Sequence, residues 1–290
     1  MELQLIQDLL STLMLPSRLD EIHLGEIQRS IFIKRDDLIH PVISGNKWRK
    51  LDGHIQEFIR SGANRMVSMG GVHSNHLHAL AYVSNFLKCS CDLLVYGWHD
   101  AILTPTLKDA MNNSANLHSL TRSEAQQIRN QGIGIISDKW TDAYWIPEGG
   151  GGDIGSIGMA KLVHEMPDEF DQEENLLLCP CGSGTSLFGL LEFTKHIQIV
   201  SLKNVVNASY PKLSNARLRW IQAIENKSFG KVTPENLRFV NNFKSSYHIE
   251  LDLIYTAPLM QAFLNSDLAK NYKQIYFIHT GGLQGNRIHL

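Results

Sequence analysis

The chain has 290 residues, enough for one large domain or two of medium size. Hydrophobic residues make up 43% and charged residues 19%, a composition typical of a folded protein rather than a disordered one. The 27 basic and 29 acidic residues leave a formal charge of −2, so the overall charge favours neither nucleic acid nor an anionic membrane as a partner.

The first segment, MELQLIQDLLSTLMLP, is apolar but contains Glu2 and Asp8 and lacks the basic start of a signal peptide. It predicts a short amphipathic helix that ends before Pro16. No apolar run in the sequence is long enough to cross a bilayer. We therefore expect a cytoplasmic protein.

Short apolar runs alternate with segments of helical period along most of the chain. Strands are predicted for RMVSMG (65–70), CDLLVYG (91–97), NLHSL (116–120), AYWIP (143–147), NLLLCP (175–180), HIQIVSL (196–202), ELDLIYT (250–256) and QIYFIHT (274–280). Helices are predicted for HLHALAYVSNFL (76–87), TSLFGLLEFTK (185–195) and ARLRWIQAIE (216–225). This alternation predicts an α/β fold with parallel sheets between layers of helices, and it is least regular between residues 203 and 248.

The four cysteines form two C-x-C pairs, Cys89 with Cys91 and Cys179 with Cys181. Four cysteines in a chain of this length do not make a disulfide framework, and C-x-C is not the usual zinc-finger spacing. We interpret them as free, mostly buried thiols, with a zinc site as the alternative.

Glycines gather where predicted strands end: Gly70-Gly71, Gly149 to Gly152, Gly182 with Gly184, and Gly281-Gly282. The loops after the carboxyl ends of parallel strands form the ligand site in open sheets. The pattern therefore indicates that backbone approaches a ligand closely at these loops, with ordinary tight turns as the alternative.

The segment CPCGSGTSLFGLL (179–191) follows an apolar strand and leads into a helix through the loop GSGT (182–185). Small residues let backbone N–H groups converge on an anion, and the helix N-terminus adds partial positive charge. The segment lacks the Gly-Lys-Thr ending of a P-loop and has Leu187 at the third glycine of G-x-G-x-x-G, which disfavours a nucleoside triphosphate or a dinucleotide. The loop predicts a site for a monophosphorylated cofactor.

The segment SGNKWRKLDGHI (44–55) starts a predicted helix with Lys47, Arg49 and Lys50, although helix N-termini normally collect acidic residues. The helix dipole and the like charges disfavour the charged form of Lys47. An amine with a lowered pKa forms a Schiff base readily, as pyridoxal phosphate requires. Ordinary solvated bases on a helix surface are the alternative.

Six groups of motifs follow one another along the chain: KRDDL (34–38) with SGNKWRKL (44–51), GGVHSNHLHALA (70–81), IPEGG (146–150) with Gly155 and Gly158, GSGTSLFGLL (182–191), LDLIYT (251–256) and HTGG (279–282). In this order they resemble the motifs of the 1-aminocyclopropane-1-carboxylate deaminase / D-cysteine desulfhydrase family. The resemblance extends from residue 15 to residue 285 and is patchy between 200 and 250.

The resemblance implies a pyridoxal-5′-phosphate-dependent enzyme with the two-domain, three-layer α/β/α tryptophan-synthase-β-like fold, fold type II. It implies a large cofactor-binding domain of residues 1–51 plus 156–290, a smaller inserted domain of residues 52–155, and an active site in the cleft between them. It further implies a homodimer that acts on a small amino acid.

Roles carry over by the same resemblance. The expected catalytic residues are Lys47, Ser74 and Tyr255. The expected cofactor-binding residues are Lys47, Asn75, Gly182, Ser183, Gly184, Thr185 and Thr256. The expected substrate-binding residues are Ser74, Asn75, His76, Thr280 and Gly281. Lys47 forms the Schiff base and later moves a proton, Asn75 contacts the 3′-oxygen of the cofactor, and Ser74 contacts the substrate carboxylate or assists proton transfer. A helix cap is the alternative interpretation of Ser74 and Asn75.

The histidines His73, His76 and His78 raise the question of a metal site. Their spacing fits no strong metal-binding motif and acidic partners are absent nearby in the sequence, so we predict no metal.

Two positions bear on the reaction that the resemblance implies. Thr256 matches the position that faces the pyridine nitrogen of the cofactor, where cyclopropane deaminases resemble one another in having glutamate, and Thr280 stands where they have leucine. A neutral hydroxyl does not hold the proton of the ring nitrogen electrostatically, so the cofactor is a weaker electron sink. We therefore expect α,β-elimination of a good leaving group, with D-cysteine giving pyruvate, ammonia and sulfide.

Three departures from the family pattern keep other interpretations open. The segment NKSFGKVTPENL (226–237) is shortened and lacks a tyrosine, His78 replaces a basic residue, and Ala257-Pro258 replaces a glycine–lysine pair. Cyclopropane deamination on the same scaffold is one alternative. A cofactor-binding protein without turnover, serving vitamer handling or regulation, is the other.

Overall fold

The computed structural model describes residues 3–98, 103–135, 138–203, 213–223 and 230–288. The described strands are β1 (Leu19–Leu24), β2 (Arg29–Lys34), β3 (Arg65–Gly71), β4 (Ser90–Tyr96), β5 (Asn116–Leu120), β6 (Tyr144–Ile146), β7 (Leu176–Leu178), β8 (Gln198–Leu202), β9 (Leu218–Ile221) and β10 (Ile275–Ile278). The described helices are α1 (Leu3–Ser11), α2 (Asn46–Ser61), α3 (Asn75–Phe86), α4 (Pro105–Asn112), α5 (Arg122–Gln131), α6 (Gly152–Ser156), α7 (Gly158–His164), α8 (Thr185–Phe193), α9 (Pro234–Tyr247) and α10 (Thr256–Leu264).

These strands form two sheets. The larger has the order β1-β2-β10-β7-β8-β9 and the smaller has the order β5-β4-β3-β6. β1 and β2 form an antiparallel hairpin, and the other pairings between described strands are parallel. Parallel strands with helices on their faces are buried on both sides, which explains the apolar runs of β4, β7 and β10.

Apolar side chains bury each sheet against its helices. On the smaller sheet, one face packs on α2 and α3 through residues such as Leu51, Phe58, Leu80 and Leu93. On the larger sheet, separate clusters on the two faces bury β7 and β10 against α10 and α8. None of the described helices combines the length and the apolar character that a membrane span requires.

Most sequence predictions of elements are confirmed within one or two residues. This holds for α3 and α8 and for seven strands, β3, β4, β5, β6, β7, β8 and β10, and the helix predicted before Pro16 is present as α1, which ends at Ser11. The hairpin β1–β2 was not predicted, because its polar and apolar residues alternate only weakly along LDEIHL and RSIFIK.

Two predicted elements are wrong. Residues 250–256 do not form a strand, because the Asp252 carboxylate accepts hydrogen bonds from the N–H groups of Ile254, Tyr255 and Thr256 and bends the chain into α10. The predicted helix 216–225 contains β9, which pairs with β8 at the sheet edge, so tertiary pairing overrides the local pattern. Residues 224–225 of that prediction lie outside the described part of the chain, as do 226–229 of the shortened segment 226–237.

The two sheets take their strands from different parts of the sequence. The smaller sheet lies between residues 65 and 146, and the larger one takes two strands before residue 35 and four after residue 175. The domain division at residues 51/52 and 155/156 stays a prediction.

Candidate active site

The first turn of α2 lies against the carboxyl end of β10. Gly45, which precedes α2, has a φ of 65°, and a Cβ at this position would lie 2.0 Å from the carbonyl oxygen of Thr280. The backbone N–H of Asn46 donates to the same oxygen at 3.2 Å. A glycine is therefore required at position 45, and the contact places Lys47 beside the Thr280-Gly281 segment.

Lys47 lies at the centre of the site. Its Nζ donates a hydrogen bond to Asn46 Oδ1, and the Asn46 side-chain amide donates in turn to Ser186 Oγ at 3.2 Å. Burial lowers the pKa of Lys47 to about 8, against the opposing charge of Asp252. A substantial fraction of this amine is therefore neutral, and nucleophilic, near physiological pH.

The cause of this lowered pKa differs from the one expected from the sequence. The positive charge of the neighbouring Arg49 is compensated by two carboxylates, because its guanidinium lies 2.8 Å from Asp36 Oδ1 and 2.6 Å from Glu165 Oε1. Its positive charge is therefore compensated within a buried network of ion pairs. Burial is the main cause of the lowered pKa of Lys47.

Lys50, which the sequence analysis did not assign to the site, is a second buried amine one turn after Lys47. Its Nζ donates to the carbonyl oxygen of Gly149 at 3.2 Å and to Ser183 Oγ at 3.3 Å. Burial, and then the charge of Lys47, lower the pKa of Lys50 to about 7. The i, i+3 spacing on one helix face was the signal that could have identified it.

The predicted phosphate loop joins β7 to α8 and faces Lys50. Gly184 has a φ of 88° and precedes the first helical residue, Thr185, whose Oγ1 lies 3.1 Å from Ser183 Oγ. A Cβ at Gly149 would lie 3.4 Å from Ser183 Oγ, so the glycine loop after β6 packs on the phosphate loop. Two hydroxyls, a helix N-terminus and an ammonium thus converge where an anion is expected.

The Ser74–His76 turn begins α3. Ser74 Oγ caps this helix by accepting from the N–H of Leu77 at 3.3 Å, so the cap interpretation is correct for Ser74 and is compatible with a ligand contact. His76 Nε2 lies 2.9 Å from Ser68 Oγ. Burial, and then the nearby charges of His54 and Lys50, lower the pKa of His76 well below its ordinary value, so the ring is neutral.

Tyr255 and Thr256 start α10 behind the phosphate loop. A Cβ at Gly182 would lie 3.3 Å from the Tyr255 ring, and burial, followed by the charge of Asp252, raises the pKa of Tyr255. The Thr256 hydroxyl donates to the Asp252 carbonyl oxygen at 3.2 Å and accepts from the Asp252 N–H at 2.7 Å. Asp252 is a buried carboxylate that the sequence analysis did not single out.

The Thr280-Gly281 segment completes the site. A Cβ at Gly281 would lie 2.8 Å from Ser44 Oγ, and one at Gly282 would lie 3.2 Å from Asn75 Nδ2 and 3.5 Å from the Asp252 carboxyl carbon. The segment therefore touches both the lysine segment and the start of α3. Through these contacts the lysine segment, the phosphate loop, the start of α3 and the start of α10 lie next to one another.

These residues fit pyridoxal phosphate. Two buried polar atoms of the α3 turn, Asn75 Oδ1 and His76 Nδ1, have no hydrogen-bond partner within the described residues, which indicates that a ligand satisfies them. Lys47 would supply the amine that attaches the cofactor aldehyde, and the hydroxyls of the loop facing Lys50 would donate to its phosphate.

The described residues contain no group of three or more histidine, cysteine, aspartate or glutamate side chains placed to hold a metal ion. His76 and His78 contact Ser68 and Asp109, respectively. All four cysteines are free, and Cys89 is half-buried while the others are buried.

No protein-family model matches the chain. A Thermotoga maritima protein provisionally named 1-aminocyclopropane-1-carboxylate deaminase is 28% identical, covering 88% of this chain and 89% of its own length. The bifunctional D-cysteine desulfhydrase/1-aminocyclopropane-1-carboxylate deaminase of Arabidopsis thaliana mitochondria is 26% identical, covering 88% of this chain and 73% of its own length. A solved structure of an ACC deaminase homologue superimposes with a TM-score of 0.79 at 22% identity, over 99% of this chain and 97% of that chain. This likeness confirms the predicted fold class.

Proposed function

We propose that this chain, which is similar over most of its length to proteins of the 1-aminocyclopropane-1-carboxylate deaminase / D-cysteine desulfhydrase family, uses pyridoxal phosphate to eliminate the β-substituent of a small amino acid. The substrate that we favour is D-cysteine. The α-proton is removed, the Cβ–S bond breaks, and sulfide leaves with the bonding electron pair. Addition of water to the remaining unsaturated amine then gives pyruvate and ammonia.

One observation carries this proposal: the buried amine of Lys47, with a pKa of about 8, lies where the α3 turn, the phosphate loop and the Thr280-Gly281 segment meet. The cofactor, when bound, supplies the electron sink that makes the α-proton acidic. Lys47 Nζ attaches the cofactor and, once released, is the base that takes this proton.

The other residues bind and orient. The backbone N–H groups at the start of α3 and the side chains of Ser74 and Asn75 hold the substrate carboxylate beside the helix N-terminus. Because His76 is neutral, it serves as a hydrogen-bond partner rather than as a cation. Thr280 and Gly281 line the site beside the lysine segment. Tyr255 packs beside the phosphate loop as a protonated phenol.

Position 256 favours a thiol leaving group over an unactivated carbon ring. The Thr256 hydroxyl is neutral and is already bonded to the Asp252 backbone, so it gives little electrostatic support to a protonated ring nitrogen. A weak electron sink suffices when the β-substituent leaves readily, as a thiol does. We further expect a homodimer, as the family resemblance implies, and a cytoplasmic location, as predicted from the sequence.

The substrate is tested with the purified protein after reconstitution with pyridoxal phosphate. Sulfide and pyruvate are measured with D-cysteine and L-cysteine, and 2-oxobutanoate is measured with 1-aminocyclopropane-1-carboxylate. We expect product from D-cysteine above both other substrates. Faster formation of 2-oxobutanoate would establish the deaminase alternative instead, and cofactor binding without turnover on any of the three would overturn the proposed catalysis.

The role of Lys47 is tested by borohydride reduction of the holoprotein, followed by peptide mass spectrometry. The pyridoxyl group is expected on Lys47, and Lys47→Ala is expected to lose the label, the visible absorbance and all turnover. Lys161→Ala, which removes a more exposed amine paired with Asp52, is the control and is expected to retain all three. A label on Lys50 would refute the assignment.

A further inference from the structure

The segment after β10 crosses from the larger sheet to helix α3. It passes through Thr280-Gly281 and ends in a short 3-10 helix, Leu283–Ile288. A Cβ at Gly282 would lie 3.2 Å from Asn75 Nδ2, and one at Gly285 would lie 3.9 Å from Asn75 Oδ1. The segment therefore covers the Asn75 side chain, which is predicted to contact the cofactor.

A carboxylate outside the site fastens this segment. Arg287 Nη2 in the 3-10 helix lies 2.7 Å from Asp109 Oδ2 of α4, and the same oxygen lies 3.1 Å from His78 Nε2 of α3. Helix α4 itself packs with α3 on the smaller sheet through Leu107 and Ala110. Asp109 thus joins α4 to α3, which carries Asn75 and His76, and to the end of the segment that begins with Thr280 and Gly281.

The charges of Asp109, His78 and Arg287 are complementary in this contact. Burial lowers the pKa of His78, so its ring is neutral and Nε2–H donates to the carboxylate, while Arg287 supplies the positive charge. The Asp109 and Arg287 side chains are 30% and 42% exposed. An ion pair this exposed adds little to overall stability, so its main effect is on the position of the segment it holds.

We propose that Asp109 is a positioning residue, whose carboxylate holds Arg287 and His78 and thereby fixes the segment after β10 over the Asn75 side chain. Asp109 acts through these contacts and touches none of the predicted site residues in the hydrogen bonds it makes. The effect on cofactor binding rests on the proposed function. The effect on the position of the segment does not.

The test is hydrogen exchange of the full-length protein, read by mass spectrometry, together with titration of the cofactor-free protein with pyridoxal phosphate. Asp109→Asn and Arg287→Gln are expected to speed exchange in peptides covering 279–288 and 74–80 by about two- to fivefold, the range that loss of such an ion pair supports. The dissociation constant for pyridoxal phosphate is expected to rise by a similar factor. Arg287→Lys keeps the charge and is expected to remain close to the wild type.

Asp267→Asn is the matched control, because it removes an exposed ion pair with Lys270 of the same turn, and this pair does not involve the segment after β10. It is expected to leave both peptides unchanged. Unchanged exchange in the Asp109→Asn and Arg287→Gln variants would overturn the proposal, and so would a uniform increase over the whole chain, which indicates general destabilisation. A wild type that fails to bind the cofactor, with local acceleration still present in the variants, would remove the proposed function and leave the positioning role standing.

Discussion

At the scale of single residues, α2 buries two amines within one turn. Lys50 contacts the neutral groups Gly149 C=O and Ser183 Oγ, and its pKa falls to about 7. A buried base with a lowered pKa destabilises the fold, because the unfolded chain binds the proton more tightly. Such a group is retained where it serves a ligand, here the predicted phosphate.

Lys50→Met is therefore expected to stabilise the cofactor-free protein at pH 7 while weakening its affinity for pyridoxal phosphate. The unfolded pKa of 10.5 exceeds the folded value of about 7, so the unfolded state holds more protons between these pH values. The stability of the wild type thus rises with pH over this window, and the advantage of the variant, on the order of a few kcal/mol at pH 7, shrinks toward pH 10.5. Urea unfolding at pH 7 and pH 10 measures the difference in unfolding free energy between the variant and the wild type. A variant less stable than the wild type at pH 7 would contradict the prediction.

Ser74 has a structural role and a proposed catalytic role, which one pair of variants separates. Ser74→Ala removes the cap of α3 and is expected to cost about 1 kcal/mol of unfolding free energy and also to lower kcat/KM. Thr121→Ala removes an equivalent cap from α5, away from the site, and is expected to cost a similar amount without changing kinetics. Thermal unfolding measures the loss of stability, and steady-state assays measure kcat/KM. Equal kinetics in the two variants would mean that Ser74 serves only as a helix cap.

Some candidate site residues can be predicted from the sequence and others cannot, for a physical reason. Lys47, Ser74 and Asn75 stand in short motifs that a single sequence displays. Lys50 and Asp252 act through groups distant in sequence, Lys50 on Ser183 and Asp252 against Gly282, and such contacts exist only once the chain has folded.

At the scale of elements, the entry into α2 depends on Gly45. Gly45→Ala would place its Cβ within 2.0 Å of the Thr280 carbonyl oxygen at a φ of 65°. We expect at least about 3 kcal/mol of destabilisation, because strain and overlap combine, together with loss of cofactor binding as Lys47 shifts. Gly62→Ala is the matched control, since Gly62 has a φ of 70° but nothing within 4 Å of an added Cβ.

Gly62→Ala is expected to cost about 1 kcal/mol through backbone conformation alone and to leave cofactor binding unchanged. Urea unfolding and cofactor titration compare the two variants. If Gly45→Ala resembles Gly62→Ala in both measurements, the close approach of α2 to β10 is not what places Lys47.

The predicted elements are confirmed where the periodicity is strong and are wrong where a side-chain contact or strand pairing overrides it. The buried apolar runs of β7 and β10 are interpreted as strands, which is correct. The segment 250–256 is apolar enough for a strand, yet the Asp252 side chain captures three backbone N–H groups and starts α10 instead. The polarity of residues 234–247 concealed α9, although Thr233 and Asn236 form a capping box at its start.

At the scale of the whole molecule, a buried ion network ties α2 to the larger sheet and to α7. Arg49 pairs with Asp36 and with Glu165, and Lys34 of β2 lies 2.8 Å from Glu165. Burial by itself would raise the pKa of Glu165, but the hydrogen bonds and charges of Arg49 and Lys34 outweigh it and lower the pKa to about 2.

Glu165→Gln is expected to lower the unfolding free energy by about 3 kcal/mol at pH 7, because it leaves two buried cations short of a partner. The lowered pKa means that the carboxylate stabilises the fold above pH 4.5 and that this contribution is lost as the pH falls toward 2. The difference between variant and wild type should therefore narrow over that window in urea unfolding. Glu174→Gln removes an exposed pair with Lys273 and is expected to have little effect, and a Glu165→Gln deficit that persists unchanged at pH 2 would contradict the assignment.

Sequence by itself determined the α/β class, most strands and the identity of Lys47 as the candidate lysine, because each is encoded in local periodicity or in a short motif. Tertiary structure alone decided which charges are paired and which are buried without a counter-ion. In the folded chain Arg49 pairs with Asp36 in an ion network, Lys50 faces the phosphate loop, and the Asp252 carboxylate lies at the start of α10. The pKa of a side chain depends on burial and on neighbours far along the chain, and neither exists before the chain has folded.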